Sequence, residues 1–214
     1  MNITALRPRL ICHLEPVGKA FARAGFTPNQ ISLLSLLLGL AAMVLFATRF
    51  FPLGSVALFA SGVLDLVDGH VSRIQGSGSR FGAVFDWIVD KYVDTFALLG
   101  IGLSGIPILT RLPGVPAVAD PAVVMLAIIG SMMNTFIKPV TYAEAGFADR
   151  HHGKIEDPLE GVGFFGRPET LLALVAGGLL GLVWLAVIII AIATNLSAIE
   201  RIVYLRRHLD RKEE

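Results

Sequence analysis

Charged side chains are scarce in this chain. Only 16% of its 214 residues are Asp, Glu, Lys or Arg, against roughly 25% in an average soluble domain. With 54% apolar residues, there is too little polar surface to face water on all sides, and the bilayer is the solvent expected. Cysteine is nearly absent: Cys12 alone excludes a disulfide within one chain and any multi-cysteine metal site. The formal net charge of +1 says little about partners, and nucleic acid is not among those expected. No internal repeat or low-complexity segment is present, and the length suits a single domain, 1–214. No cleavable signal peptide is expected, because Arg7, Arg9, Lys19 and Arg23 punctuate the first 30 residues without a long apolar core.

Long apolar runs are what the chain does have. Leu10, Leu14, Val17, Phe21 and Ala24 have the spacing of an amphipathic helix lying on a membrane surface within residues 1–26. Thr27-Pro28-Asn29 then reads as a helix start, with Thr27 as cap and Pro28 in the first turn. Spans are expected over 31–48, from 51 through the polar stretch ending at 73, and over 81–106, 122–143, 171–182 and 183–205. Each is judged against the ~20 residues that cross a bilayer. The prolines at 107, 113, 116 and 121 mark a loop, and 144–166 reads as a polar loop. The expected fold is an all-α membrane protein: an interfacial helix (1–26), a core of six transmembrane helices (27–208) and a polar tail (209–214).

Six spans place both termini on one side. Fourteen of the 18 Lys and Arg residues then fall on that side, with Arg49 and Arg111 opposite and Lys91 and Lys138 within spans. By the positive-inside rule the termini face the cytoplasm, and the expected location is the cell membrane.

The informative stretch is Asp65-x2-Asp68-Gly69-x2-Ser72-Arg73, followed after eight residues by Gly82-x3-Asp86-x3-Asp90 and then Asp94. A carboxylate at the centre of a bilayer costs roughly 2.5–3.5 kcal/mol, so acids clustered at the ends of apolar spans need positive charge among them. Asp65 and Asp68 share one helix face, as do Asp86 and Asp90. A short loop makes the two helices antiparallel neighbours, so the acidic faces can meet. Four carboxylates suit hard cations such as Mg²⁺, Mn²⁺ or Ca²⁺, and one divalent ion cannot neutralise four, which points to two. Such a site suits phosphoryl transfer. Gly69 would let the backbone approach a nucleotide closely, and Arg73 would offer phosphate a forked donor. The competing interpretation is a structural network of these acids with Arg73, Arg80 and Lys91.

The pattern D-x2-D-G-x2-A-R-x8-G-x3-D-x3-D marks the CDP-alcohol phosphatidyltransferases, and this chain resembles that family at every spacing, with Ser72 in place of alanine. The resemblance covers nearly the whole chain. It implies that Asp65, Asp68 and Asp86 ligate metal, and that Asp90 ligates a second ion and acts as catalytic base on the acceptor hydroxyl. It implies that Gly69 and Arg73 contact the CDP group. Thr27, Pro28, Asn29 and Gln30 resemble the family's nucleotide-proximal start of the first span, and Ser79 resembles a further CDP-contacting position. The implied cofactor is Mg²⁺ or Mn²⁺, two ions per site. The implied partners are a CDP-activated lipid (CDP-diacylglycerol or CDP-archaeol), a small polar alcohol, membrane lipid and a second copy in a homodimer. Asp94 is expected to orient Lys91 or a metal-bound water, with Lys91 as counter-charge.

The acceptor is read from three basic residues. Arg167-Pro168-Glu169 resembles the start of the fifth helix in inositol-phosphate-transferring members, and Arg201 the basic end of their last helix. Those members carry a basic pair in the fourth helix where this chain has Val140 and Tyr142, and Lys138 stands half a turn earlier. The acceptor expected is inositol phosphate or glycerol phosphate. His151 and His152 read as a solvated loop, since no third ligand follows at metal-binding spacing. The alternative for the whole chain is a non-catalytic divalent-cation carrier. Transport normally needs broken helices or a polar route across the midplane, whereas the acids here gather on one side.

Overall fold

A computed structural model describes residues 7–144, 150–151, 154–155, 159 and 161–209, with side chains from Leu14 onward outside the short 150–155 segment. Seven helices lie among the described residues: α1 Arg7–Arg23, α2 Pro28–Ala47, α3 Phe51–Gln75, α4 Arg80–Leu103, α5 Ala119–Glu144, α6 Arg167–Leu179 and α7 Val183–Leu209. The pair β1 Arg150–His151 and β2 Lys154–Ile155 is antiparallel, with His151 opposite Lys154. The tail from 210 and His152 lie outside the described residues.

Local chemistry sets the helix starts. Thr27 and Gln30 form a capping box, Gln30 N–H donating to Thr27 Oγ1 at 3.3 Å and Thr27 N–H to Gln30 Oε1 at 2.9 Å, with Pro28 in the first turn. Ser79 caps α4 by accepting from Gly82 N–H at 2.9 Å. Helix α6 begins at Arg167, four residues earlier than its apolar run, because Glu169 Oε2 accepts from Gly166 N–H at 2.9 Å and Pro168 favours the first turn. The 104–118 segment is more ordered than its prolines suggest. Asp120 accepts from the N–H groups of Ile108, Leu109 and Thr110 at 3.1, 2.6 and 3.0 Å.

Helix α2 packs along both α3 and α4, α5 along α7, and α6 bridges α3 and α7. Small residues permit the closest approaches. A Cβ on Gly100 of α4 would lie 2.4 Å from the Met43 carbonyl oxygen of α2, and one on Gly178 of α6 would lie 1.9 Å from Ser55 Oγ of α3. Phe46, Leu58, Val93, Leu98 and Ile190 fill the interior. Leu37, Leu53, Phe59, Met125 and Ile192 project outward, as lipid-facing side chains do.

Among the described residues four helices, α2, α3, α5 and α7, are long and apolar enough to cross a bilayer. Helix α4 has the length but carries Asp86, Asp90, Lys91 and Asp94 within it. Helix α6 has 13 residues, about 20 Å at 1.5 Å per residue, short of the ~30 Å hydrocarbon core. Helix α1 rides on α3, with Leu14 and Phe21 of its apolar residues half-buried. Gly18 is buried, whereas Val17 is 39% exposed and Ala24 is exposed. The cause is a backbone contact: a Cβ on Gly18 would lie 2.4 Å from the His70 ring, so the glycine lets α1 sit down on the imidazole.

Candidate active site

The acidic end of α3 and the acidic half of α4 meet. Asp65, Asp68 and Asp86 each offer a carboxylate oxygen, and these oxygens all lie within 4.8 Å of one another. Asp68 is 4% exposed and Asp65 and Asp86 are half-buried. Three carboxylates so close repel one another, and partial burial strengthens the repulsion. The donor set is oxygen only, which fits a hard divalent cation. A Cβ placed on Gly69 would meet nothing within 4 Å, so the backbone beside the cluster is open to a large ligand.

The fourth acid expected as a ligand, Asp90, stands one turn along α4 and is joined to the cluster by an arginine. Arg167 Nη1 donates to Asp65 Oδ2 at 2.6 Å, its Nη2 lies 2.7 Å from Asp90 Oδ1, and its Nε lies 3.6 Å from Asp94 Oδ1. The guanidinium from the start of α6 thus spans α3 and α4. Sequence reasoning placed Arg167 in the acceptor pocket and did not connect it to the acids. The α6 start signal could have done so, because it sets Arg167 at the same membrane level as the two acidic helix segments. Lys91 Nζ donates to Asp94 Oδ2 at 2.8 Å, the counter-charge arrangement expected of that pair.

The segment expected to meet the nucleotide gathers beside the cluster. The site where a Gly82 Cβ would stand is 3.0 Å from Ser79 Oγ and 3.2 Å from Asn29 Oδ1, so the starts of α2 and α4 converge. Thr27, Gln30 and Ser79 also serve as helix caps. Arg73 is exposed in the last turn of α3. A residue the sequence reading passed over sits between these parts: Ser32 of α2 donates to Asp68 Oδ2 at 2.5 Å. Its signal in the sequence is a hydroxyl one turn beyond Pro28, one of two serines in a largely apolar run.

The other two basic residues expected at the acceptor stand on α5 and α7. Arg201 of α7 is 6% exposed. Its Nε donates to the Val162 carbonyl at 3.0 Å and its Nη1 to the Asn134 carbonyl, which fastens the segment ahead of Arg167 between α5 and α7. Asn134 Nδ2 adds a bond to the Phe165 carbonyl at 2.6 Å. Lys138 is half-buried on α5.

An all-helical bundle with an acid cluster and an arginine at one end of its apolar helices is the arrangement of a membrane-embedded enzyme acting on phosphate. Residues 26–199 match the CDP-alcohol phosphatidyltransferase family, and the chain belongs to it. It is therefore a transferase of phospholipid biosynthesis. It is 27% identical over 208 residues to the archaetidylinositol phosphate synthase of Pyrococcus horikoshii, covering 97% of this chain and 98% of that one. It is also 27% identical to the phosphatidylinositol phosphate synthase of Mycobacteroides abscessus, covering 87% and 80% of the two chains. The fold resembles the crystal structure of Mycobacterium tuberculosis phosphatidylinositol phosphate synthase with CDP-DAG bound. The TM-score is 0.70 at 21% identity, covering 88% of this chain and 90% of that one. The form of that enzyme in complex with manganese and citrate aligns with a TM-score of 0.69 at 20% identity, covering 87% and 86%.

Proposed function

We propose that the chain transfers a phosphatidyl-type group from a CDP-lipid to inositol phosphate, with release of CMP and dependence on a divalent cation. The carrying observation is the convergence of Asp65, Asp68 and Asp86 from two helices. The CDP-DAG and the manganese held by the similar crystal structures support it, as do the archaetidylinositol phosphate and phosphatidylinositol phosphate synthases to which the chain is similar. Glycerol phosphate is the next acceptor in order.

Asp65, Asp68, Asp86 and Asp90 would hold Mg²⁺ or Mn²⁺, two ions when fully loaded. Bound there, divalent cations neutralise charge on the diphosphate and its leaving group. The rest of the reaction belongs to the chain. Thr27, Pro28, Asn29 and Gln30, with Gly69, Arg73 and Ser79, receive the CDP group. Lys138, Arg167 and Arg201 receive the acceptor, a forked guanidinium being suited to its phosphate. The acceptor hydroxyl attacks the lipid-linked phosphorus. A new P–O bond forms there, the diphosphate P–O bond breaks, CMP carries away the electron pair, and Asp90 takes the hydroxyl proton. The enzyme in this reading is a single domain with six spans, α4 joining the four apolar ones and the short α6 making the sixth only together with the residues that flank it. Its termini and site face the cytoplasm, and it works as a homodimer.

Purified protein, CDP-diacylglycerol or CDP-archaeol and Mg²⁺ are offered inositol phosphate, glycerol phosphate, serine and inositol in turn, with CMP as readout. CMP release with inositol phosphate alone, lost with a chelator and restored by Mg²⁺ or Mn²⁺, is the expected result. Release with a different acceptor corrects the substrate. A cation carrier using the same carboxylates predicts no CMP with any of them.

A further inference from the structure

We infer that Ser32 is a positioning residue for the metal site, fixing the carboxylate of Asp68 and tying it to the nucleotide-proximal start of α2. The inference rests on the metal role proposed above for Asp68. Ser32 and Asp68 are each 4% exposed and come from neighbouring helices, 36 residues apart in the chain. The Ser32 hydroxyl has two acceptors within reach, Asp68 Oδ2 at 2.5 Å and the Pro28 carbonyl at 3.1 Å. A hydroxyl carries one proton, and the shorter contact to a charged oxygen takes it. One Asp68 oxygen is thereby held toward α2, which sets the direction in which the carboxylate meets Asp65 and Asp86. Ser32 itself stands one turn beyond Pro28 on α2, so the bond to Asp68 ties the carboxylate to the helix start whose Asn29 approaches Gly82 of α4.

Supporting hydrogen bonds of this kind orient carboxylate ligands, and their loss typically costs 10–100-fold in metal affinity. A second serine of α2 supplies the contrast. Ser35 exchanges hydrogen bonds with Ser61 of α3, donating to the Ser61 carbonyl at 2.9 Å and receiving at its own carbonyl from Ser61 Oγ at 2.9 Å. It joins the same two helices without touching an acid.

The test is Mn²⁺ binding to the protein in detergent, followed by electron paramagnetic resonance without CDP-lipid. Ser32→Ala should weaken Mn²⁺ binding about tenfold or more, and Ser32→Thr, which keeps the hydroxyl, should stay within about twofold of wild type. Ser35→Ala should lower the melting temperature and leave Mn²⁺ affinity unchanged. Should Ser32→Ala fail to accumulate, Ser32→Cys keeps the volume with a weaker donor and should show the same loss. Unaltered Mn²⁺ affinity in Ser32→Ala or Ser32→Cys, beside normal wild-type binding, overturns the role of Ser32 alone. No Mn²⁺ binding by the wild type overturns the metal assignment and this inference together.

Discussion

Arg167→Ala tests the electrostatics of the site directly. In the structure one guanidinium faces Asp65, Asp90 and Asp94 at 2.6, 2.7 and 3.6 Å. The four side chains are 20%, 10%, 18% and 3% exposed, so water screens these contacts weakly. Removing one partner of a buried ion pair costs about 3–5 kcal/mol, because the other charge is left uncompensated. Partial exposure of Arg167 and Asp90 favours the lower end, about 3 kcal/mol. At 2–4 °C per kcal/mol for a chain of this size, the melting temperature should fall by roughly 6–12 °C in chelator. Millimolar Mg²⁺ should shrink that deficit, since a cation among the same carboxylates replaces the lost charge. The measurement is thermal unfolding in detergent, read from the fluorescence of Trp87 and Trp184. Lys19→Ala is the control: its contact with Glu15 is as short, at 2.6 Å, but the side chains are 53% and 45% exposed, and such a pair contributes about 0–1 kcal/mol. An Arg167→Ala protein melting in chelator within a degree or two of wild type would refute the reasoning.

Asp65→Asn and Asp86→Asn should each abolish CMP release while the protein still inserts and purifies; full activity in either counts against the metal assignment. Arg201→Ala should raise the KM for the acceptor far more than the KM for CDP-lipid, and an equal rise in both would remove Arg201 from the acceptor pocket. Gly100→Ala should destabilise by about 1–3 kcal/mol, because its Cβ would stand 2.4 Å from the Met43 carbonyl oxygen. A melting temperature equal to wild type would mean that α2 and α4 separate without cost.

The helices were legible where hydropathy and caps agreed. Thr27-Pro28 and the apolar run after it placed α2 within a few residues, because a cap and a lipid-length run are both local properties of the chain. The packing of α1 was legible in part. Leu14 and Phe21 of its apolar residues are half-buried, but the close contact of Gly18 with His70 was not, because a glycine leaves no trace in a hydrophobic pattern. Helix α6 begins at Arg167, ahead of its apolar residues, because Gly166 and Glu169 close the first turn, the start that Arg167-Pro168-Glu169 suggested by resemblance and hydropathy did not. Pro139 did not end α5; the Thr141 hydroxyl donates to the Ile137 carbonyl at 2.7 Å, an added bond in that turn.

The acid cluster was readable because its logic is arithmetic: a three- or four-residue spacing on two antiparallel helices leaves the carboxylates one place to meet. The positive partners were harder, because a long basic side chain reaches several places and the sequence does not say which. Arg167 and Arg201 look equivalent as arginines near helix ends, yet they do different things. Arg167 meets carboxylates on α3 and α4. Arg201 donates to the Val162 carbonyl on the segment that leads into α6 and to the Asn134 carbonyl on α5, so it ties that segment to the bundle. A change at Arg201 loosens the segment that leads into α6, whereas a change at Arg167 removes charge from the acids outright. Stability in chelator should accordingly respond to added Mg²⁺ in the Arg167 variant and not in the Arg201 variant, because a cation can restore charge between the carboxylates but cannot re-form a clamp on the backbone of 161–166.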